Sequence, residues 1–145
     1  MRTAPSILAL ALVLVVTACS SGASDIPGGI RLEGVTWRTV TISGRPPAPN
    51  HVPSLTIAGS TISGSGGCNK FTGHVRVESS RLVVDELAMT AMACLDDLAN
   101  TLEQQFVAIL GSRPLIGARD GHLVLSGAVG EIVLESRGIA AEPTA

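Results

Sequence analysis

The chain has few aromatic residues and little positive charge. It contains one Trp, two Phe and no Tyr, and its 10 basic residues are outnumbered by 12 acidic ones. A nucleic-acid surface usually combines basic clusters with aromatic faces on which bases stack. If Arg2 is removed with an export segment, the side-chain charge changes from −2 to about −3. We therefore expect no nucleic acid among the partners of this protein.

Known catalytic motifs are also missing. The sequence contains no G-x-S-x-G, S-x-x-K, H-E-x-x-H or C-x-x-C. The glycine-rich segment 63–73, SGSGGCNKFTG, does not place Lys70 in the frame of a P-loop and lacks the Rossmann spacing. These absences predict a protein that is not an enzyme, with no catalytic residue, no cofactor and no metal. A Ser-His-Asp set assembled only by folding stays open, because triads follow geometry and not chain order.

The longest apolar run lies at the N-terminus and is too short to cross a bilayer. Residues 7–16 read ILALALVLVV, about half of the roughly twenty residues that a membrane helix needs. With Arg2 before it, the run has the length of a signal-peptide core. The segment 16–19, Val-Thr-Ala-Cys, resembles the bacterial lipobox, in which the cysteine thiol is lipidated. We predict a lipoprotein signal peptide over 1–18 and a lipid at Cys19; an ordinary signal peptide cut near Ala18 is the alternative.

The mature chain then divides into a tether, one domain and a tail. Residues 19–30 are rich in Ser and Gly, which predicts a flexible tether. Residues 31–137 have the length of one modest domain, and 138–145 form a short tail. We expect the protein to be extracytoplasmic and lipid-anchored, to the cell membrane or to the outer membrane. The sequence does not indicate which membrane, nor the oligomeric state.

Three cysteines would be an odd number for an exported chain. Assigning Cys19 to the lipid leaves Cys68 and Cys94, in a compartment where disulfides persist. A crosslink over their 26 positions would contribute about 3–4 kcal/mol. A metal site is disfavoured because the three histidines, at positions 51, 74 and 122, are spread singly along the chain. A catalytic thiol stays open, although no Cys-His arrangement follows from the spacing.

Short alternating segments between turn signals predict a mostly β domain. We predict strands over 35–43, 54–58, 61–64, 74–78, 81–84, 115–118, 122–126 and 131–135. From Leu95 onward apolar residues recur at three- and four-residue steps, which predicts one amphipathic helix capped by Asp96 and Asp97 and stopped near Gly111. Residues 87–94 are ambiguous between strand and helix. The expected fold is α+β: a small antiparallel curved sheet or barrel with one inserted helix.

Several segments together resemble one known family. They are Trp37, the segment Gly67-Cys68-Asn69-Lys70-Phe71-Thr72-Gly73, the segment Thr90-Ala91-Met92-Ala93-Cys94, the helix residues Glu103 and Phe106, and the strand Gly121-His122-Leu123-Val124-Leu125. In this order they are similar to the META domain (HslJ-like) family, over about 31–137. The resemblance implies a small antiparallel β fold with helical content and a pairing of Cys68 with Cys94. Ala91 stands where members often carry a basic residue, so a binding role of that charge does not transfer.

The resemblance also implies an exported, stress-related protein whose molecular activity is not agreed. Together with the missing catalytic motifs, it favours a non-enzymatic role in the cell envelope through contact with another protein. The alternative is a small-ligand carrier with a cavity inside a β-barrel. Scarce aromatics argue against that alternative, because ligand pockets are usually lined by apolar and aromatic groups. A deep apolar pocket would favour the carrier, and an exposed apolar patch would favour a protein partner.

Overall fold

A computed structural model describes residues 25–26 and 28–137 of the chain. The predictions for the signal peptide 1–18, for Cys19 and for the tail 138–145 lie outside the described residues. The described elements are β1 (Asp25–Ile26), β2 (Ile30–Arg31), β3 (Thr36–Ile42), β4 (Ser54–Ala58), β5 (Thr61–Ser65), β6 (Lys70–Glu78), β7 (Arg81–Met89), α1 (Asp97–Gly111), β8 (Leu115–Arg119), β9 (His122–Gly127) and β10 (Gly130–Arg137). No helix among these residues is long and apolar enough to cross a membrane.

Strands β3 to β10 form one curved antiparallel sheet. The strand order is β10-β3-β4-β5-β6-β7-β8-β9, and the sheet closes because β9 also pairs with β10. One seam is short: β7 and β8 meet only where Arg81 faces Leu115. The mostly β fold with one helix, predicted from alternating segments and a single amphipathic stretch, is therefore confirmed.

The two ends of the barrel differ in what they carry. At one end, which we call the turn end, are the tight turns 58–61, 78–81 and 119–122. The hairpin of β1 and β2 lies at this end, with Gly28 against Ala118. At the other end, the loop end, are the connections 43–53, 66–69 and 90–96 and the helix α1. The chain therefore enters the domain at the end opposite its longest loops.

The short β1–β2 hairpin differs from the flexible tether expected over 19–30. Ile26 and Ile30 are buried and belong to the hydrophobic core. Gly28 and Gly29 both have positive φ, which lets the chain turn tightly between Ile26 and Ile30. The two isoleucines can then pack together, although the segment's Ser and Gly content suggested that it buries nothing. The segment from Asp25 to Arg31 thus contributes to the core of the domain.

Buried side chains fill the inside of the barrel. Trp37 and Phe71 are 3% and 4% exposed, as their positions in predicted core segments suggest. From α1, Phe106, Ile109 and Leu110 are completely buried among the strands. Burial of a side chain of this size contributes about 1.5–3 kcal/mol. Within the described residues, the barrel interior is a packed core.

The helix begins later than its apolar pattern suggested. Asp96 is the N-cap, where its Oδ1 accepts a hydrogen bond of 2.9 Å from the Ala99 N–H, and Asp97 occupies the first turn. Leu95 therefore precedes the helix and is 98% exposed, contrary to the expectation that it shares the buried face. The ambiguous stretch 87–94 ends β7 and then forms a loop.

Candidate functional site

A groove opens at the loop end of the barrel. Its volume is about 630 Å³, and it is lined by residues from three connections: Asn50, His51, Gly67, Cys68, Met92, Ala93, Cys94, Leu95 and Asp96. Among the described residues it gathers both cysteines of the domain and one of the three histidines. This concentration of reactive and apolar side chains makes it the candidate functional site.

A disulfide bond joins the 66–69 loop to the 90–96 loop in this groove. Cys68 and Cys94 are bonded, with their Cα atoms 5.7 Å apart. Both residues are half-buried, so one side of the bond faces the groove. The structure thus has the pairing that the META resemblance implied. The bond connects the loop before β6 to the loop before α1.

His51 lies beside this disulfide because two loops approach closely. Its Nδ1 is 3.7 Å from Sγ of Cys68 and 3.2 Å from the carbonyl oxygen of Gly67. Gly67 has a φ of +121°, and a Cβ there would lie 2.9 Å from the His51 carbonyl oxygen. Glycine at this position is what allows the approach. The wide spacing between the histidines and the cysteines in the sequence did not predict this contact.

The other two histidines lie elsewhere. His74 is exposed on β6, as its place on the polar face of a predicted strand suggests. Nδ1 of His122 is 3.1 Å from the Asp120 carbonyl oxygen, beside the predicted Asp120-Gly121 turn, where both residues have positive φ. Among the hydrogen bonds of the described residues, none joins a histidine to a serine hydroxyl. The hydrogen bonds of the described residues therefore give no support to the Ser-His-Asp arrangement that the sequence left open.

Below the groove, the buried carboxylate of Glu103 holds the 66–69 loop. Glu103 is 6% exposed. Its Oε2 accepts hydrogen bonds from the backbone N–H groups of Cys68, at 2.9 Å, and Asn69, at 2.6 Å. Its Oε1 accepts from Nδ2 of Asn69 at 2.6 Å. A buried carboxylate is costly unless hydrogen bonds satisfy it, and this one receives three.

Asn69 extends the same network to the 90–96 loop. Its Oδ1 accepts from the Met92 N–H at 2.7 Å and from the Thr90 hydroxyl at 3.0 Å. Its Nδ2 also donates to the Met92 carbonyl oxygen at 3.3 Å. One side chain therefore fixes three donors or acceptors of the second loop while it contacts Glu103. The two loops are held together by hydrogen bonds as well as by the disulfide.

These contacts keep Glu103 ionised despite its burial. Burial alone would raise the pKa of its carboxyl group. The hydrogen bonds from the Asn69 side chain and from the backbone of Asn69 and Cys68 outweigh that effect, with help from nearby His51. The net result is a pKa below the ordinary value for glutamate. The Glu103 carboxylate is therefore negatively charged at neutral pH.

The role of Glu103 and Asn69 was not predicted, although the sequence carries a signal for one of them. Glu103 falls on the same helical face as Ala99, Phe106 and Leu110, at steps of four, three and four residues. A carboxylate inside an apolar stripe must be paired once the stripe packs. Sequence alone does not name its partner, because Asn69 is 34 positions away.

Three exposed apolar side chains lie in the 90–96 loop and the first turn of α1, and we call them the apolar rim. They are Met92, Leu95 and Leu98, which are 66%, 98% and 37% exposed. Asp96 and the exposed Asp97 lie between the last two in sequence. Isolated exposed apolar residues are common on protein surfaces, but here three lie within seven positions, and two of them, Met92 and Leu95, line the groove.

Comparisons with known proteins agree with this architecture. Two structures solved by NMR match: one is 24% identical with a TM-score of 0.63, covering 72% of this chain and 90% of that chain. The other, a protein from Burkholderia xenovorans, is 20% identical with a TM-score of 0.59, covering 72% and 83%. No curated protein matches. The model of the META domain family matches residues 31–137, most of the chain, so this protein belongs to the META domain family.

Proposed function

We propose that this META domain is displayed outside the cytoplasm by a lipid on Cys19 and binds an envelope protein through its apolar rim, without catalysis. The observation that carries the proposal is the almost complete exposure of Leu95, together with that of Met92. Large apolar side chains at a concave surface are typical of sites that a partner covers.

The surroundings of the rim indicate the chemistry of that partner. The groove beside it has room for an apolar side chain. The carboxylates of Asp96 and Asp97 stand next to Leu95 and Leu98, and the mature chain is acidic. Complementary charge favours specific encounter more than affinity. The best match is a protein surface with an apolar anchor flanked by basic residues.

The direction of the tether supports contact away from the anchored end. From Cys19 to Asp25, six residues reach about 20 Å at most when fully extended. The chain enters the domain at the turn end, and the rim lies at the loop end. Because the described chain begins at the end opposite the rim, a separate protein is a better occupant of the rim than the anchored segment. The stress-related role stays an expectation that rests on the family.

The carrier alternative has less support. A carrier needs an internal cavity, and in the described residues the barrel interior is occupied by buried side chains such as Phe106 and Leu110. The groove is an open surface feature, and the Cys-His contact in it, between Cys68 and His51, involves a cysteine that is held in a disulfide. A binding role explains the exposed rim, and neither alternative does.

The anchor is tested by replacing the predicted lipid-bearing residue. We expect Cys19→Ala to move the protein from the membrane fraction to the soluble fraction of its host, because the N-terminal acyl chains are lost. Cys68→Ser/Cys94→Ser is the control, since it removes the two disulfide-bonded cysteines but leaves Cys19, and it should stay with the membrane. Retention of the Cys19→Ala protein on membranes would reject the anchor.

The rim is tested by photo-crosslinking in living cells. A photoreactive amino acid at Met92 should give a discrete adduct with one envelope protein. The same group at Val77, an exposed apolar residue (40%) near the turn end, should not. Adding Leu95→Ser to the Met92 probe should abolish the adduct. Equal adducts at both positions, an adduct that survives Leu95→Ser, or no adduct at Met92 would contradict the proposal.

A further inference from the structure

His51, Cys68 and Cys94 bring three metal-ligating side chains to one point in the groove. One donor atom from each lies within 4.8 Å of the other two. Nδ1 of His51 lies 3.7 Å from Sγ of Cys68. While the disulfide is closed, neither sulfur is a thiolate, the form that binds metals. The oxidised domain therefore cannot use this set as a metal site.

Hydrogen bonds anchor the backbone of the loops that carry the three residues, in addition to the disulfide. Cys68 is fixed by its backbone N–H on Glu103, at 2.9 Å. The backbone N–H of His51 donates a hydrogen bond to the Ala48 carbonyl oxygen, at 2.9 Å. The Cys94 loop is fixed on both sides, by the contacts of Met92 with Asn69 and by the N-cap residue Asp96. Opening the S–S bond should therefore leave all three ligands facing the groove.

We propose that reduction of the Cys68–Cys94 bond turns this cluster into a binding site for a thiophilic divalent ion, Zn²⁺ being the first candidate. Two thiolates and one imidazole are ligands that zinc prefers, and three protein ligands leave a fourth position open. That position faces the groove. Oδ1 of Asp96 already caps α1, so we do not count this carboxylate as a ligand.

The change between the two forms is a balanced redox step. A dithiol reductant gives two electrons and two protons to the Cys68–Cys94 bond and becomes a disulfide itself. The ion then binds as the two cysteine thiols lose their protons. In the reverse direction, a disulfide oxidant takes up two electrons and two protons and becomes a dithiol, the Cys68–Cys94 bond forms again, and the ion is released. The disulfide and the bound metal therefore exclude each other. Whether the groove holds an ion then depends on the redox state of Cys68 and Cys94.

The test uses the full chain purified in detergent, in oxidised form and after reduction with a phosphine that is then removed without oxygen. Co²⁺ serves as the spectroscopic probe for Zn²⁺. We expect the reduced chain to bind one Co²⁺ with sulfur-to-cobalt charge-transfer bands and the visible bands of a tetrahedral site, and Zn²⁺ to displace it. The oxidised chain should give neither set of bands.

Two variants assign the ligands, and a third serves as the control. His51→Gln should weaken Zn²⁺ binding to the reduced chain by at least about tenfold, since even outer-shell changes cost that much. His74→Gln, which alters the exposed histidine on β6, should leave it unchanged. Cys68→Ser/Cys94→Ser should keep the wild-type far-ultraviolet circular dichroism and bind no Co²⁺. The proposal is overturned if the reduced chain gives no charge-transfer bands, if His51→Gln binds as tightly as wild type, or if reduction unfolds the domain.

Discussion

Replacing Glu103 by glutamine should destabilise the domain far more than a change of one atom suggests. In the wild-type protein both carboxylate oxygens act as acceptors, for two backbone N–H groups and for Nδ2 of Asn69. Glutamine has only one such oxygen. If it serves the backbone groups, its NH₂ faces the NH₂ of Asn69 across a former 2.6 Å contact. Asn69 cannot turn over to help, because its Oδ1 already accepts from Met92 and Thr90.

The size of the effect follows from these three contacts. Hydrogen bonds to a charged group contribute about 1.5–3 kcal/mol each, against about 0.5–1.5 kcal/mol for neutral ones, and a buried donor left unpaired costs about 1–3 kcal/mol. At the lower end of each range, the two weakened bonds lose about 1 kcal/mol each and the unpaired donor costs about 1 kcal/mol, which gives about 3 kcal/mol. With a urea slope of about 1.5 kcal/mol per M, the unfolding midpoint should fall by about 2 M.

The assay is urea unfolding followed by the fluorescence of Trp37, which is the chain's one tryptophan and is buried. Glu135→Gln, on the exposed end of β10, is the matched control and should change the free energy of unfolding by less than about 0.5 kcal/mol. If Glu103→Gln were as mild as the control, the network would not support the two loops.

A second substitution separates hydrogen-bond direction from the loss of charge. In Asn69→Asp/Glu103→Gln, the introduced aspartate can accept from Met92 and Thr90 with one oxygen and from the new glutamine NH₂ with the other. The glutamine oxygen then serves the backbone N–H groups, and the net charge is unchanged. Only the 3.3 Å contact of Asn69 with the Met92 carbonyl oxygen is lost. The double variant should be more stable than the sum of the single effects by at least about 1 kcal/mol. Strict additivity would show that hydrogen-bond direction does not matter at this pair.

Three further predictions concern the same core. Because folding lowers the pKa of Glu103, the ionised carboxylate stabilises the folded state at pH values above the ordinary glutamate pKa, and this contribution is lost as the pH falls through the folded-state pKa. The difference in the free energy of unfolding between wild type and Glu103→Gln should therefore shrink as the pH is lowered, which acid unfolding curves would measure. Gly66→Ala places a Cβ 2.7 Å from Cγ of Glu103 and should cost about 2 kcal/mol by thermal unfolding, whereas Gly111→Ala, with open space around it, should be neutral or slightly stabilising. Thr39→Val should increase the free energy of unfolding by about 1 kcal/mol and raise the melting temperature, because the buried Thr39 hydroxyl has no hydrogen-bond partner among the described residues.

The strands and the helix were predictable because they depend on local pattern. Alternation in 35–43 and 122–126 matched β3 and β9 closely, and Asp96 capped the helix as its position suggested. The boundaries were less accurate where tertiary contacts extend an element. Strands β6 and β7 run to nine residues each because each continues to pair with the other beyond its alternating segment, as far as Phe71 facing Met89.

The candidate site was only partly accessible from sequence. Cys68 and Cys94 stood out by their motifs, and the family resemblance joined them. His51 did not, because nothing in the proline-rich segment 44–53 indicates that it folds back onto Gly67. Apolar periodicity wrongly places Leu95 on the buried face of the helix. The pattern does not show that the helix begins only after its N-cap, Asp96.

The sequence by itself determined the class of the fold, the single helix and the family, since these follow from side-chain periodicity, turn residues and ordered motifs. Only the tertiary structure decided which loops meet at the end of the barrel. Closure of the sheet brings residues 17 to 35 positions apart into contact, and hydrogen bonds such as those of Glu103 with Cys68 and Asn69 act over less than 3 Å. Contacts that short depend on how the strands are registered around the barrel, which no local pattern along the chain encodes.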